Sequence, residues 1–107
     1  MSSDTFGKLV ASGLRDVSIA MCEGILEGRF DSPGHREYQT LFAGLTDEAK
    51  RDVQRLVAYC IDGGINDFLH ALQRETDVLP SKAVSNPTNL YFGSGGWVER
   101  FSKYPRS

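Results

Sequence analysis

The chain has 107 residues, of which 40% are hydrophobic and 24% are charged, a composition typical of a globular domain and not of a disordered chain. Lysine and arginine number 12 against 14 aspartates and glutamates, so there is no basic excess of the kind that favours nucleic acid or an anionic membrane. The longest apolar run is far shorter than the roughly 20 residues of a membrane span. Arg15 and Asp16 interrupt the apolar pattern of the N-terminal region, so we do not expect a signal peptide there. We expect one domain over residues 1–107, cytoplasmic, with no nucleic-acid or membrane partner.

Residues 4–28 are predicted to form the first helix, capped by Asp4 or Thr5 and ended at Gly28. One helical face collects apolar residues at spacings of three and four, namely Phe6, Val10, Leu14, Val17, Met21 and Ile25. Ile19 and Leu26 point roughly opposite to that face and lie side by side. Either the C-terminal segment covers this pair, or the pair forms a homodimer surface.

A turn over residues 29–34 leads to a short predicted helix over 33–43, which begins with Pro33. Thr46 then caps a third helix that runs to Glu75. Its apolar residues change direction by roughly 90° at Gly63–Gly64, as they would if about one extra residue were inserted there. We therefore expect this long helix to be interrupted at the Gly-Gly pair by a bulge, a kink or a break.

Residues 76–94 contain two prolines and no helical period, which predicts an irregular loop. A short helix over 96–103 is expected to follow, with Trp97, Phe101 and Tyr104 on one face. Aromatic side chains of this kind either fix a chain end onto its own domain or anchor a protein interface. Both alternatives remain open for these three residues.

One polar cluster near the glycine pair is a candidate site. Asp67 and His70 are three residues apart, so they are neighbours on a helix, and a carboxylate can orient or activate an imidazole. Asp62 lies on the other side of the glycines. The competing interpretation is a solvated helix face whose glycines serve helix packing.

Cys22 and Cys60 lie within apolar helical patterns and are interpreted as core thiols. The sequence has no phosphate-binding loop, dinucleotide fingerprint, hydrolase elbow or zinc-ligand cluster, and we expect neither a metal nor a cofactor. The segments IDGGINDFLHALQ and GWVERFSKY resemble those of small bacterial proteins, but that resemblance supplies no catalytic or binding motif.

These patterns predict an all-α fold, a small helical bundle with an interrupted long helix and a short aromatic C-terminal helix. The leading functional hypothesis is a non-catalytic protein–protein interaction or regulatory module that forms a homodimer. Ile19, Leu26, Trp97, Phe101 and Tyr104 are its candidate interface. The alternative is a small enzyme or ligand-binding protein whose site contains Asp62, Asp67 and His70.

Overall fold

The computed structural model describes residues 2–75 and 87–105, and all regular structure in those ranges is helical, as predicted. Two α-helices joined by a π-helical segment come first, and the remaining elements follow in chain order. Their bounds are α1 Ser3–Val10, the π segment Ala11–Asp16, α2 Val17–Leu26, α3 Pro33–Phe42, α4 Asp47–Arg74, α5 Pro87–Phe92 and α6 Trp97–Phe101.

The first rod, from α1 through the π segment to α2, changes its buried face part-way along. Ser2, and not Asp4 or Thr5, caps it, because the Ser2 hydroxyl accepts from the Thr5 N–H at 3.1 Å. The π segment holds an extra residue, which turns later side chains by about 100°. The buried side chains after Ala11 are therefore Arg15, Asp16, Ile19 and Leu26, while Leu14, Val17 and Met21 are exposed. The predicted apolar face is thus correct only as far as Val10.

Helix α4 is one uninterrupted α-helix of 28 residues from Asp47 to Arg74. It passes through Gly63 and Gly64 without a π-bulge or a break, so these two forms of the predicted interruption are wrong, while the predicted kink stays a prediction. The inward positions advance in steps of four residues, and four residues span about 400°, so the inward stripe winds around the continuous helix. These positions are Val53, Val57, Ile61, Ile65 and Leu69. The change in apolar direction therefore reflects a change of neighbours along α4. Thr46 caps this helix as predicted, since its hydroxyl accepts from the Ala49 N–H at 3.1 Å.

The hydrophobic core lies where α1 and the C-terminal half of α4 meet α5 and α6. Trp97, Tyr91 and Leu69 are fully buried there, together with Val10, Ala11, Ile65 and Val98. Trp97 reaches α1 at Gly7, where a Cβ atom would lie 2.3 Å from the indole ring. Only a glycine at this position leaves room for the indole, so α6 docks onto α1 through a notch in the helix.

Helix α5 was missed in the sequence, where residues 76–94 were assigned to an irregular loop. It occupies Pro87–Phe92 and packs against α4 and α6. Six residues are too few for a stable isolated helix, so tertiary contact decides its conformation. The part of the predicted loop over 76–86 lies outside the described residues.

Helix α3 stands apart from this core. Although it packs against α2, none of its residues is buried. The described structure is elongated, with extents of 48 × 28 × 20 Å. Its radius of gyration is 15.8 Å, whereas a compact domain of this length has about 13 Å. The end of the molecule that contains α3 is therefore open, meaning that its helices are not packed into a closed core.

Candidate functional site

A buried ion pair joins the π segment to α4. The Nε atom of Arg15 donates to Asp62 Oδ1 at 2.7 Å, and its Nη2 donates to Oδ2 at 3.3 Å. The Tyr91 hydroxyl also donates to Asp62 Oδ1, at 2.8 Å. Arg15 is 1% exposed and Asp62 is 9% exposed, so both charges are compensated by each other and not by water.

The same network holds the C-terminal segment. Arg15 Nη1 donates to Ser102 Oγ at 2.6 Å and to the Tyr104 carbonyl. Asp16 accepts from the Ser102 hydroxyl and, at 2.8 Å, from the Lys103 N–H. The C-terminal segment thereby contacts two adjacent charged side chains, Arg15 and Asp16, that are far from it in the sequence.

The π segment makes this arrangement possible. In a regular α-helix two consecutive side chains point about 100° apart, so one of two adjacent charges usually faces solvent. The wider π turn brings both Arg15 and Asp16 inward. Such turns often occur at functional sites, which makes the network the first candidate to consider.

The geometry of the network favours a structural role. Both Asp62 carboxylate oxygens accept from Arg15, and Oδ1 accepts from Tyr91 as well. A general base needs an oxygen within reach of a substrate proton, and these oxygens already serve protein donors. A cavity of about 260 Å³ opens beside the pair, below the roughly 300–1,000 Å³ of typical ligand pockets. Its lining residues are Arg15, Ala58, Tyr59, Asp62, Gly63, Asn66, Phe92 and Pro105.

The three residues of the predicted polar cluster do not converge. Asp62 is buried against Arg15, whereas Asp67 and His70 are exposed on α4 and do not line the cavity beside Asp62. The structure instead brings Asp62 together with Arg15, Tyr91 and Asn66. Arg15 lies 47 positions away along the chain, and local spacing gives no signal of such a contact. The sequence feature that could have indicated this site is the pair of adjacent charged residues, Arg15 and Asp16, within an otherwise apolar helix.

Most of the predicted interface residues lie inside the chain. Ile19 is 1% exposed, Leu26 is 7% and Trp97 is 0%, while Phe101 and Tyr104 are half-buried. Ile19 lines a cavity together with Tyr104 and Pro105 of the C-terminal segment. Trp97 packs edge-on against Phe6, with ring centroids 5.5 Å apart. Through these contacts the aromatic residues of the C-terminal segment pack on their own domain.

The open end of the molecule contains an apolar groove between α2, α3 and α4. Its volume is about 350 Å³. Tyr38, Leu41 and Met21 stand around this end with 53%, 69% and 45% of their surfaces exposed. The lining side chains are Ser18, Met21, Cys22, Ile25, Leu26, Tyr38, Phe42, Val53 and Val57. Sequence reasoning assigned most of these residues to a closed core and so missed the groove.

The two cysteines differ in exposure. Cys22 is half-buried in the groove wall, and burial, helped by the neighbouring Glu23 carboxylate, raises the pKa of its thiol. A raised pKa keeps this thiol protonated and unreactive. Cys60 is exposed on α4, so its predicted place in the core is wrong.

Comparison with protein-family models, curated proteins and solved structures finds no match to this chain. Within residues 2–75 and 87–105, no group of three or more His, Cys, Asp or Glu side chains could hold a metal ion. In that same part of the chain, none of the helices combines the length and apolarity that crossing a membrane requires.

Proposed function

We propose that this protein is a non-catalytic interaction module that binds an amphipathic helix of a partner protein in the groove between α2, α3 and α4. The observation that carries this proposal is the groove itself: an open trough with almost wholly apolar walls. Exposed apolar patches of this kind mark interaction sites. A second part of the proposal is that the protein is also a homodimer.

Helix α3 supports the first part. Its apolar residues Tyr38, Leu41 and Phe42 remain partly exposed, and burying them would stabilise the complex by roughly 25 cal/mol per Å² of apolar surface. A groove between helices fits a helix that presents apolar residues at positions i, i+3 or i+4, and i+7. The described residues that line the groove include no charged side chain, which favours an apolar anchor over a charged peptide.

Site-specific photo-crosslinking tests the groove in cells that naturally produce the protein. A benzoylphenylalanine in place of Tyr38 lies at the groove, and the same residue in place of the exposed Thr40 points to the other side of α3. We expect the Tyr38 probe alone to yield one discrete adduct, whose crosslinked peptide is an amphipathic helix. Equal adducts from both positions, or none from Tyr38, would contradict the proposal.

The second part, self-association, needs a surface other than the predicted one. Ile19 and Trp97 are 1% and 0% exposed, so a second copy cannot reach them without unfolding, and Leu26 belongs to the wall of the groove. The exposed apolar residues of α4 offer a different surface.

A further inference from the structure

The side of α4 that faces the groove carries a row of uncharged residues along most of the helix. Val53 and Val57 line the groove and point only about 40° apart, because four residues of an α-helix span about 400°. Between Val53 and Ala71, every residue within about 40° of their mean direction is uncharged. We call these residues the α4 row, and they are Val53, Val57, Cys60, Gly64, Phe68 and Ala71.

The α4 row continues beyond the groove as an exposed surface. Cys60, Gly64 and Phe68 lie outside the groove lining and are exposed, Phe68 with 56% of its surface. Phe68 points about 60° away from Ile65, which belongs to the core. A Cβ atom on Gly64 would contact none of the described residues beyond its own stretch of helix. The apolar surface that begins in the groove at Val53 therefore extends over about 22 Å of α4.

The first rod borders this extension from the other side. Arg15 donates to Asp62 at 2.7 Å, so Leu14, which precedes Arg15, lies at the level of Gly64 along α4. Leu14 also lies about one turn before Ser18, a residue of the groove lining. It is 46% exposed. Leu14 therefore continues the floor of the groove beside the exposed part of the α4 row.

We propose that the partner helix of the proposed function is at least about 18 residues long and lies along the α4 row from the groove to Phe68. This inference rests on that proposed function and specifies the partner. At 1.5 Å per residue, covering about 22 Å takes about 15 residues, and one further turn encloses the two outermost contacts. The bound helix takes the vacant position beside α2, α3 and α4, as the fourth helix of a bundle does. Its apolar residues recur at three- and four-residue spacing, as in the row that they face.

Two charged residues near the ends of the α4 row specify the charges of the partner. Lys50 precedes Val53 and Glu75 follows Ala71, and they lie about 40° and about 20° from the direction of the row. An acidic residue opposite Lys50 and a basic residue opposite Glu75 form two attractive pairs, whereas the reversed helix brings like charges together. The partner is therefore a helix with an uncharged apolar seam, one acidic end and one basic end.

Photo-crosslinking from two positions measures the length of the bound helix in cells that naturally produce the protein. Benzoylphenylalanine replaces Tyr38 in one variant and Phe68 in another. The control replaces His70, which is exposed and points about 160° away from Phe68. We expect the Tyr38 and Phe68 probes to label one helix of the same partner at sites about 11 to 15 residues apart, which is the spacing from Val57 or Val53 to Phe68. The His70 probe gives no such adduct.

The possible failures are distinguishable. An adduct from Tyr38 without one from Phe68 would overturn the long helix and leave the proposed function standing. The absence of any Tyr38 adduct would contradict the proposed function and, with it, this inference. Equal adducts from Phe68 and His70, or a Phe68 adduct with a second copy of this chain, would also overturn the inference.

The adjacent glycines provide a matched pair of variants. Gly64→Glu puts a charge into the α4 row, whereas Gly63→Glu puts the same charge about 100° away. Both variants should keep the helix, because glutamate favours a helix interior over glycine. We expect Gly64→Glu to lower the yield of the Tyr38 adduct at least about tenfold, since the complex would bury an unpaired charge, and Gly63→Glu to leave it unchanged. Equal yields from the two variants would show that the partner does not reach Gly64.

Charge reversal tests the ends of the partner helix. Lys50→Glu removes the cation beside the row, and the control Arg51→Glu removes a neighbouring cation that points about 140° away from the row. We expect Lys50→Glu to lower the yield of the Tyr38 adduct about threefold to fivefold, the usual effect of a partly exposed ion pair. Arg51→Glu should leave the yield unchanged. An unchanged or increased yield with Lys50→Glu would overturn the assignment of an acidic end to the partner.

Discussion

The two halves of α4 have different surroundings. The C-terminal half buries Ile65 and Leu69 against Tyr91 and Trp97, and Asp62 at its start is held by Arg15. The N-terminal half places Val53 and Val57 along an open groove, opposite a helix that buries no residue. One continuous helix thus joins a closed region, which contains the hydrophobic core, to an open region that we propose is used for binding.

The largest predicted effect concerns the closed region. Asp62→Ala leaves Arg15 as a buried charge without its carboxylate, and such a loss costs about 3–5 kcal/mol. The free energy of unfolding from urea titration measures it. The control is Asp67→Ala, which removes an exposed carboxylate from the same helix. It should change the free energy of unfolding by less than about 0.5 kcal/mol. Equal effects of the two substitutions would mean that the Arg15 network does not stabilise this region.

A second test addresses the notch that receives Trp97. Gly7→Ala would place a Cβ atom 2.3 Å from the indole, and overpacking of this kind costs about 1–3 kcal/mol. Trp97 is the only tryptophan of the chain, so its fluorescence should shift to longer wavelength as α6 loosens from α1. Gly13→Ala, whose Cβ would contact none of the described residues beyond its own stretch of helix, should leave the emission unchanged. The same shift in both variants would show that the notch does not position Trp97.

The sequence predicted where most helices lie because their ends carry local signals. Pro33 and Thr46 mark the beginnings of two helices, and the structure has them at Pro33–Phe42 and Asp47–Arg74. The last helix was expected over 96–103 and occupies Trp97–Phe101. Helix α5 carries no comparable signal and forms through its contacts with α4 and α6.

The sequence predicted a one-residue slip of the apolar pattern in the wrong helix. A slip of one residue does occur, but in the π segment of the first rod, where Ile19 and Leu26 depart from the earlier stripe. In α4 the apolar direction changes because the inward positions advance in steps of four residues and so wind around the helix, with no residue inserted into its α-helical turns. Periodicity alone cannot tell an apolar residue of the core from one on the surface.

The candidate site was the least predictable feature. Arg15 meets Asp62 and Ser102 across 47 and 87 positions of sequence, and such contacts depend on the path of the whole chain. Only Asp62 among the predicted cluster takes part. Asp67 and His70 lie on the same helix as Asp62 but on a different side of that helix.

A third test falls on the boundary between the two halves. Gly63→Ala and Gly64→Ala each have open space for a methyl group, and alanine favours a helix interior over glycine by about 1 kcal/mol. Measured at concentrations low enough to keep the chain monomeric, each variant should unfold at correspondingly higher urea. A destabilised variant would contradict the continuous helix and indicate strain at this boundary.

The smallest effect is expected at the open end. Tyr38→Ser and Leu41→Ser remove side chains that are 53% and 69% exposed, and substitutions at such surface positions change stability by about 0.5 kcal/mol or less. If the groove binds a partner helix, the same substitutions should remove the adduct formed by a photo-crosslinking residue at Met21 on the opposite groove wall. Thermal melts and crosslinking on the same variants measure the two properties side by side. A large loss of stability would show that α3 belongs to the closed region, and an unchanged adduct would place the partner elsewhere.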